Sequence, residues 1–137
     1  MAPPPLASRE AVREQRLGDV WSNDLNDVFA DVAPYYDRAN NIAALGQFGN
    51  FLRRFMQLVD LKPRQKVLDV CAGTNSVGIR LLKKQPGISV TAIDRSKEMQ
   101  EQGTSDAQKA GLHIDSVIHD VHELPFPDNH FDVVTLQ

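Results

Sequence analysis

The chain has 137 residues, 42% of them hydrophobic and 24% charged, with a formal net charge of −3. That is enough for one domain with a real core, and the acidic balance counts against a nucleic-acid partner, which needs a basic face. Cys71 is the single cysteine, which excludes an internal disulfide and a cysteine-based zinc site.

The opening Met1 to Glu14 lacks the apolar core of a secretory signal. Its Arg9 and Arg13 are interleaved with Glu10 and Glu14, unlike a mitochondrial presequence, and no apolar run approaches the length of a membrane span. A cytoplasmic protein is expected. Residues 1–23 begin with Pro3-Pro4-Pro5 and read as a flexible lead, with a short helix near Ala11 to Arg16.

Residues 24–62 read as helices. Leu25, Val28, Phe29 and Val32 recur at helical steps until Pro34 interrupts, and a second run follows in Ile42, Leu45, Phe48, Leu52, Phe55, Met56 and Val59. Gly46 and Gly49 mark a bend inside that run. Arg53-Arg54 is read as part of a solvated helix face.

Residues 63–137 change period. Lys66–Val70 is a short apolar strand, expected at the centre of the sheet with Val67, Leu68 and Val70 buried. Val77–Lys84 is a helix stopped by Pro86-Gly87, and Ile88–Ile93 is a β-branched strand. Ser96 to Ala110 is a helix, with Ser96 as N-cap and Gly111 as its stop. Ile114–Ile118 is a third strand. Phe131–Leu136 is a fourth, after the turn Pro127-Asp128-Asn129. Strands alternating with helices predict an α/β fold with a parallel sheet and right-handed crossovers.

Chemistry concentrates where these strands end. Val67-Leu68-Asp69-Val70 runs into Cys71-Ala72-Gly73-Thr74-Asn75, an acid followed by a tight small-residue turn and a helix. Parallel sheets bind ligands at the carboxyl ends of their strands, and the helix start offers free N–H groups. A plain strand-to-helix turn has the same composition. Two phosphate motifs fail here. The dinucleotide fingerprint wants glycine where Cys71 and Ser76 stand, and the P-loop wants Lys-Ser/Thr where Ile79-Arg80 stands. A pyrophosphate or triphosphate ligand is therefore disfavoured. Asp94, ending the second strand, is read either as an acceptor for ribose hydroxyls or as an acid favouring the following helix dipole. Asp120 closes the third strand at the same sheet edge, where it could accept a bond from an adenine amino group. His119 and His122 flank it, and a surface role outweighs a metal site there, so no metal is expected.

Together these motifs resemble class I S-adenosyl-L-methionine-dependent methyltransferases, and more closely the UbiE/Coq5 group that C-methylates quinone precursors. The resemblance covers roughly residues 25–137. It is carried by the glycine loop, by Asp94, and by Leu124-Pro125-Phe126-Pro127-Asp128-Asn129-x-Phe131-Asp132. Val28-Phe29, Tyr36-Asp37, Asn40 and Gly46 also fit. The chain departs from the pattern at Cys71 and Asn75, where the family carries glycine, at Phe51, where it usually has tryptophan, and at Ala44, where it often has serine. Asn75 tolerates left-handed backbone better than most residues.

The resemblance implies a Rossmann-like sheet preceded by helices that cover the site. It implies S-adenosyl-L-methionine as cofactor, with Asp69 and Gly73 at its methionine end, Asp94 at the ribose and Asp120 at the adenine. Cys71, Ala72 and Asn75 would lie along the loop, Arg95 and Val121 beside the two acids, and Tyr36 over the site. The acceptor implied is a small molecule such as a quinone precursor, and no residue stands out as the catalytic base. A catalytically silent binding or scaffold protein, or a relative using the cofactor for another transfer, would share these features. The fourth strand ends the sequence with fewer strands than the family's sheet, which predicts part of a longer enzyme or a dimer covering residues 131–136.

Overall fold

The computed structural model describes residues 25–137, together with Val12 and Gln15. The rest of the expected lead and of its short helix lies outside the described residues. Helix α1 (Leu25–Val32) runs through a 3-10 turn (Ala33–Tyr35) into α2 (Tyr36–Ala43), and α3 (Phe48–Leu58) follows. Pro34 sits in the first turn of the 3-10 segment, where its missing N–H has no partner to lose. The apolar run from Ile42 to Val59 is not one face. Ile42 and Leu45 are exposed, and Leu45 and Gly46 adopt left-handed backbone that separates α2 from α3. The Gly46 N–H donates to Asn41 O at 2.7 Å, closing α2 in the manner that favours glycine just past a helix end. Gly49 lies inside α3 and marks no bend.

Helix α3 is held in place by packing. Leu52 is fully buried, and Phe48, Phe55 and Met56 line the same face at helical spacing against the core. Burying a leucine of this kind is worth about 2–3 kcal/mol. At its end, Lys84 Nζ donates to Met56 O at 2.6 Å and also to Val59 O, placing a cation on the orphan carbonyls.

Four parallel strands follow: β1 (Lys66–Val70), β2 (Ser89–Asp94), β3 (Asp115–Ile118) and β4 (Val133–Leu136), in the spatial order β3-β2-β1-β4. Helix α4 (Ser76–Lys84) joins β1 to β2, and α5 (Lys97–Lys109) joins β2 to β3. This α/β, Rossmann-like arrangement is the one expected. Val67 and Leu68 are buried, whereas Val70 is only half-buried because it opens onto the loop at the strand end. Strand β2 starts one residue late, at Ser89. Ile88 is still buried, in the turn that precedes the strand. The core joins Val67, Val90 and Ala92 of the sheet to Val77, Leu81 and Leu82 of α4, Ala107 of α5, and Leu52. Ser96 caps α5, its Oγ accepting from the Met99 N–H at 3.3 Å. Asn129 takes left-handed backbone in the turn before β4. No helix among the described residues is long and apolar enough to cross a membrane.

Candidate functional site

The β1–α4 loop has an alternating backbone. Cys71, Gly73 and Asn75 have φ of 55°, 53° and 60°, so every second residue is left-handed. That geometry explains why glycine suits all three positions, and it shows that the turn forms with glycine at only one of them. A left-handed conformation costs an ordinary residue roughly 1 kcal/mol or more, and less for asparagine.

Buried polar contacts hold the strained turn. Asn75 is fully buried, and its Oδ1 accepts from Gln100 Nε2 at 2.9 Å. The same nitrogen donates to Gly73 O at 2.9 Å, while Gln100 Oε1 accepts from the Ser116 hydroxyl. Gln100, itself buried, thus ties the loop to α5 and β3. Gly103, one turn further along α5, lets the helix approach. A Cβ there would meet Thr74 C at 2.6 Å and Asn75 Cγ at 2.7 Å. Asn75, expected along the ligand, instead turns its side chain toward α5.

Asp69 is also not at an open surface. It is 2% exposed, paired in register with Thr135 of β4, and its Oδ1 accepts from the Thr135 hydroxyl at 2.7 Å. Burial pushes its carboxyl up to about 6. The Thr135 bond and the nearby Gly78 amide pull the other way, and the charge of Asp94 adds a smaller upward push.

Asp94 braces the loop from β2. Its Oδ2 accepts from the Gly73 N–H at 2.8 Å and its Oδ1 from the Ser96 N–H at 2.9 Å. The carboxylate serves the start of α5, as one of its two readings has it, and it also lines the open cavity. Each oxygen retains a second lone pair for a ligand hydroxyl. Asp120 lies past the end of β3 rather than closing it, and it is exposed. Its carboxyl is held below the ordinary range by the His122 N–H, 2.9 Å from Oδ1, and by the His122 ring, 2.6 Å from the same oxygen. No group of three metal-ligating side chains occurs among the described residues.

These residues surround a cavity of about 330 Å³ at the carboxyl ends of β1, β2 and β3. Cys71 and Gly73 form its floor, Asp94, Arg95 and Ser96 one wall, and Asp120, Val121 and His122 another. Met99 and Gln137 also line it, and Leu25, Phe29 and Tyr36 roof it from α1 and α2. A smaller cavity of about 70 Å³ adjoins it beside Asp37, Asp69, Ala72 and Thr74, with Tyr36, Cys71, Gly73 and Gln137 common to both. The structure thus brings Tyr36, Cys71, Gly73, Asp94, Arg95, Asp120 and Val121 together. Ala72 and Asp69 line only the smaller cavity, and Asn75 lines neither. Two carboxylates, Asp94 and Asp120, and one guanidinium, Arg95, line the cavity, and burial raises the Cys71 thiol, with Asp94, Asp69 and Asp120 raising it further. The two carboxylates offer acceptors that suit a ligand with hydroxyl and amino donors.

Sequence reasoning missed Thr135, Gln100, Gly103 and the Asp37 contacts described below. A threonine inside the apolar run Val133-Val134-Thr135-Leu136 and a glycine in the middle of α5 were the available signals.

Comparison with known proteins agrees with this geometry. The ubiE/COQ5 methyltransferase family matches residues 12–137. A demethylmenaquinone methyltransferase of Listeria welshimeri is 35% identical over 114 residues, 82% of this chain and 48% of that protein. The ubiquinone/menaquinone biosynthesis C-methyltransferase UbiE of Cereibacter sphaeroides is 34% identical over 114 residues, 82% of this chain and 46% of its own. Among solved structures, the cyclase SpnF superposes with a TM-score of 0.57 at 26% identity, covering 62% of this chain and 32% of SpnF. The chain spans about half the length of the curated relatives it matches. With its family matched from residue 12 to its last residue, the chain belongs to the ubiE/COQ5 methyltransferase family.

Proposed function

We propose that the chain is the cofactor-binding part of an S-adenosyl-L-methionine-dependent methyltransferase acting on a quinone precursor of the demethylmenaquinone kind. The observation that carries this reading is the cavity at the strand ends with Asp94 and Asp120 in its walls. Its residues fit the cofactor. Asp94 presents lone pairs for ribose hydroxyls, and Asp120 can accept from an adenine amino group. Val121 and Met99 supply apolar walls for the ring, and the carboxylates of Asp94 and Asp120 suit a cofactor that carries a sulfonium cation. The cavity volume lies at the lower end of the range for small-molecule sites.

When bound, the cofactor would supply an electrophilic methyl group on sulfur. The task of this chain is alignment and exclusion of water. Asp69 acts from beneath, holding β1 and β4 in register through Thr135, while Gln100 and Asp94 fix the loop backbone. Phe29 and Tyr36 close the site from above. The quinone acceptor rests on the names of the relatives, whose full length is about twice that matched here. A second reading, the same cofactor site serving another transformation, is supported by the likeness to a cyclase. Two assays divide these readings. A thermal-shift titration with S-adenosyl-L-methionine should raise the melting temperature if the site is real. Labelled methyl transfer to demethylmenaquinone by the protein should then identify the acceptor. Stabilisation without transfer to that or related quinols would favour the second reading, and no stabilisation would overturn both.

A further inference from the structure

Asp37, in the first turn of α2, makes contacts that the site described above does not use. Its Oδ1 accepts from the Thr74 hydroxyl at 2.9 Å, and its Oδ2 accepts from the Ser76 hydroxyl. Thr74 is buried in the β1–α4 loop, next to the left-handed Gly73 and Asn75, and Ser76 begins α4. The carboxylate therefore stands at the N-terminus of α4, where negative charge is favoured, and fastens α2 to the loop by side chains alone. Its neighbour Tyr36 lines both cavities, and α1 carries Phe29 and Leu25 over the larger one.

We propose that the Asp37 bridge to Thr74 and Ser76 is a latch that couples closure of the α1–α2 roof to the ordered state of the β1–α4 loop, so that ligand binding and roof docking are one event. Asp37 is a positioning residue here, acting on the ligand through Thr74 and Ser76 and not by touching it. The loop takes left-handed backbone at three positions, two of them not glycine, and its interior contacts come from Gln100 of α5 and Asp94 of β2. Asp37 supplies the opposing contact from the roof side. A loop held from both sides is ordered before the ligand arrives, and a roof held to that loop is positioned with it. The proposal rests on the cofactor reading above.

The test combines calorimetric titration of S-adenosyl-L-homocysteine with backbone hydrogen exchange over residues 25–43 and 71–76, in the parent, Asp37→Ala, Asp37→Asn, the double variant Thr74→Val/Ser76→Ala, and the triple variant. In the parent, ligand should slow exchange in both segments together. Asp37→Ala should weaken affinity roughly fivefold or more and remove the ligand-induced protection of residues 25–43, leaving β1 and β2 unchanged. Asp37→Asn keeps one acceptor and should fall between. The double variant should match Asp37→Ala, and the triple variant should be no worse than either. Parent affinity in Asp37→Ala would overturn the latch. So would a loss that adds to that of the double variant, since Asp37 would then act on the ligand directly. Should the parent bind no S-adenosyl-L-homocysteine, the cofactor reading fails by itself. The latch is then decided by the exchange of residues 25–43 without ligand, faster in Asp37→Ala if it exists and unchanged if it does not.

Discussion

Cys71 shows how much of this site is decided by backbone conformation. Its φ of 55° asks for glycine, and its side chain is exposed and in no disulfide. Replacing a residue by glycine usually costs stability through the unfolded chain, by about 0.4–1 kcal/mol. Relief of left-handed strain, about 1–2 kcal/mol, should outweigh it here. Cys71→Gly is therefore expected to stabilise the fold by a few tenths to about 1 kcal/mol, read from the urea midpoint, and a clear loss would show that the thiol packs productively. Asp69 makes a second residue-scale prediction. Its folded carboxyl titrates near 6, above the ordinary value of 3.8, so the folded state holds the proton more tightly than the unfolded state does. The stabilising difference is present below about pH 4 and is lost as pH rises through about 6, a swing on the order of 2–3 kcal/mol. Asp69→Asn should flatten that part of the stability-pH curve, and an unchanged curve would remove Asp69 as its cause. Asp94 calls for a finer test than deletion, because Asp94→Ala also frees the Gly73 and Ser96 amides and should lower the melting temperature. The ribose role predicts that S-adenosyl-L-homocysteine binds the parent more tightly than its 2′,3′-dideoxy analogue does, and that Asp94→Ala narrows this gap by about 1.5–3 kcal/mol per lost bond.

At the scale of elements, helix α5 carries a sign that propensity alone gets wrong. Alanine in place of a mid-helix glycine normally gains up to about 1 kcal/mol. Gly103 faces the backbone carbon of Thr74 and the amide of Asn75, both closer than a Cβ tolerates, so the loop must move. Gly103→Ala should cost about 1–3 kcal/mol and weaken adenosyl ligands, measured by thermal unfolding and calorimetry. The order of strands and helices was legible in the sequence because period, β-branching and caps agree there: the run from Lys66, the Ser96 cap and the Asn129 turn all appear where read. The roof was less legible. Ile42 and Leu45 are apolar at helical spacing yet exposed, because the left-handed Leu45-Gly46 pair rotates α3 out of phase with α2. Within the site, strand-end acids announce themselves by position. The side chains that hold the site do not, since Gln100 and Asp37 meet the loop, and Thr135 meets Asp69, through tertiary contacts 25 to 66 residues apart in sequence.

At the scale of the whole molecule, the sheet has a finished side and an open one. Val133 and Thr135 of β4 turn inward, while Val134 and Leu136 remain largely exposed. Parallel sheets are normally covered on both faces. The 137-residue chain is therefore expected to self-associate, with an average mass that rises with concentration in sedimentation, and Val134→Lys should reduce that association. The central claim is that the cavity at the strand ends is an adenosyl site without a phosphate cradle. It is tested most directly by calorimetric titration of this chain with S-adenosyl-L-homocysteine, with ATP and NAD as competitors. The account predicts one S-adenosyl-L-homocysteine site, undisturbed by either nucleotide. Absence of that binding, or its displacement by ATP or NAD at comparable concentration, would contradict the account.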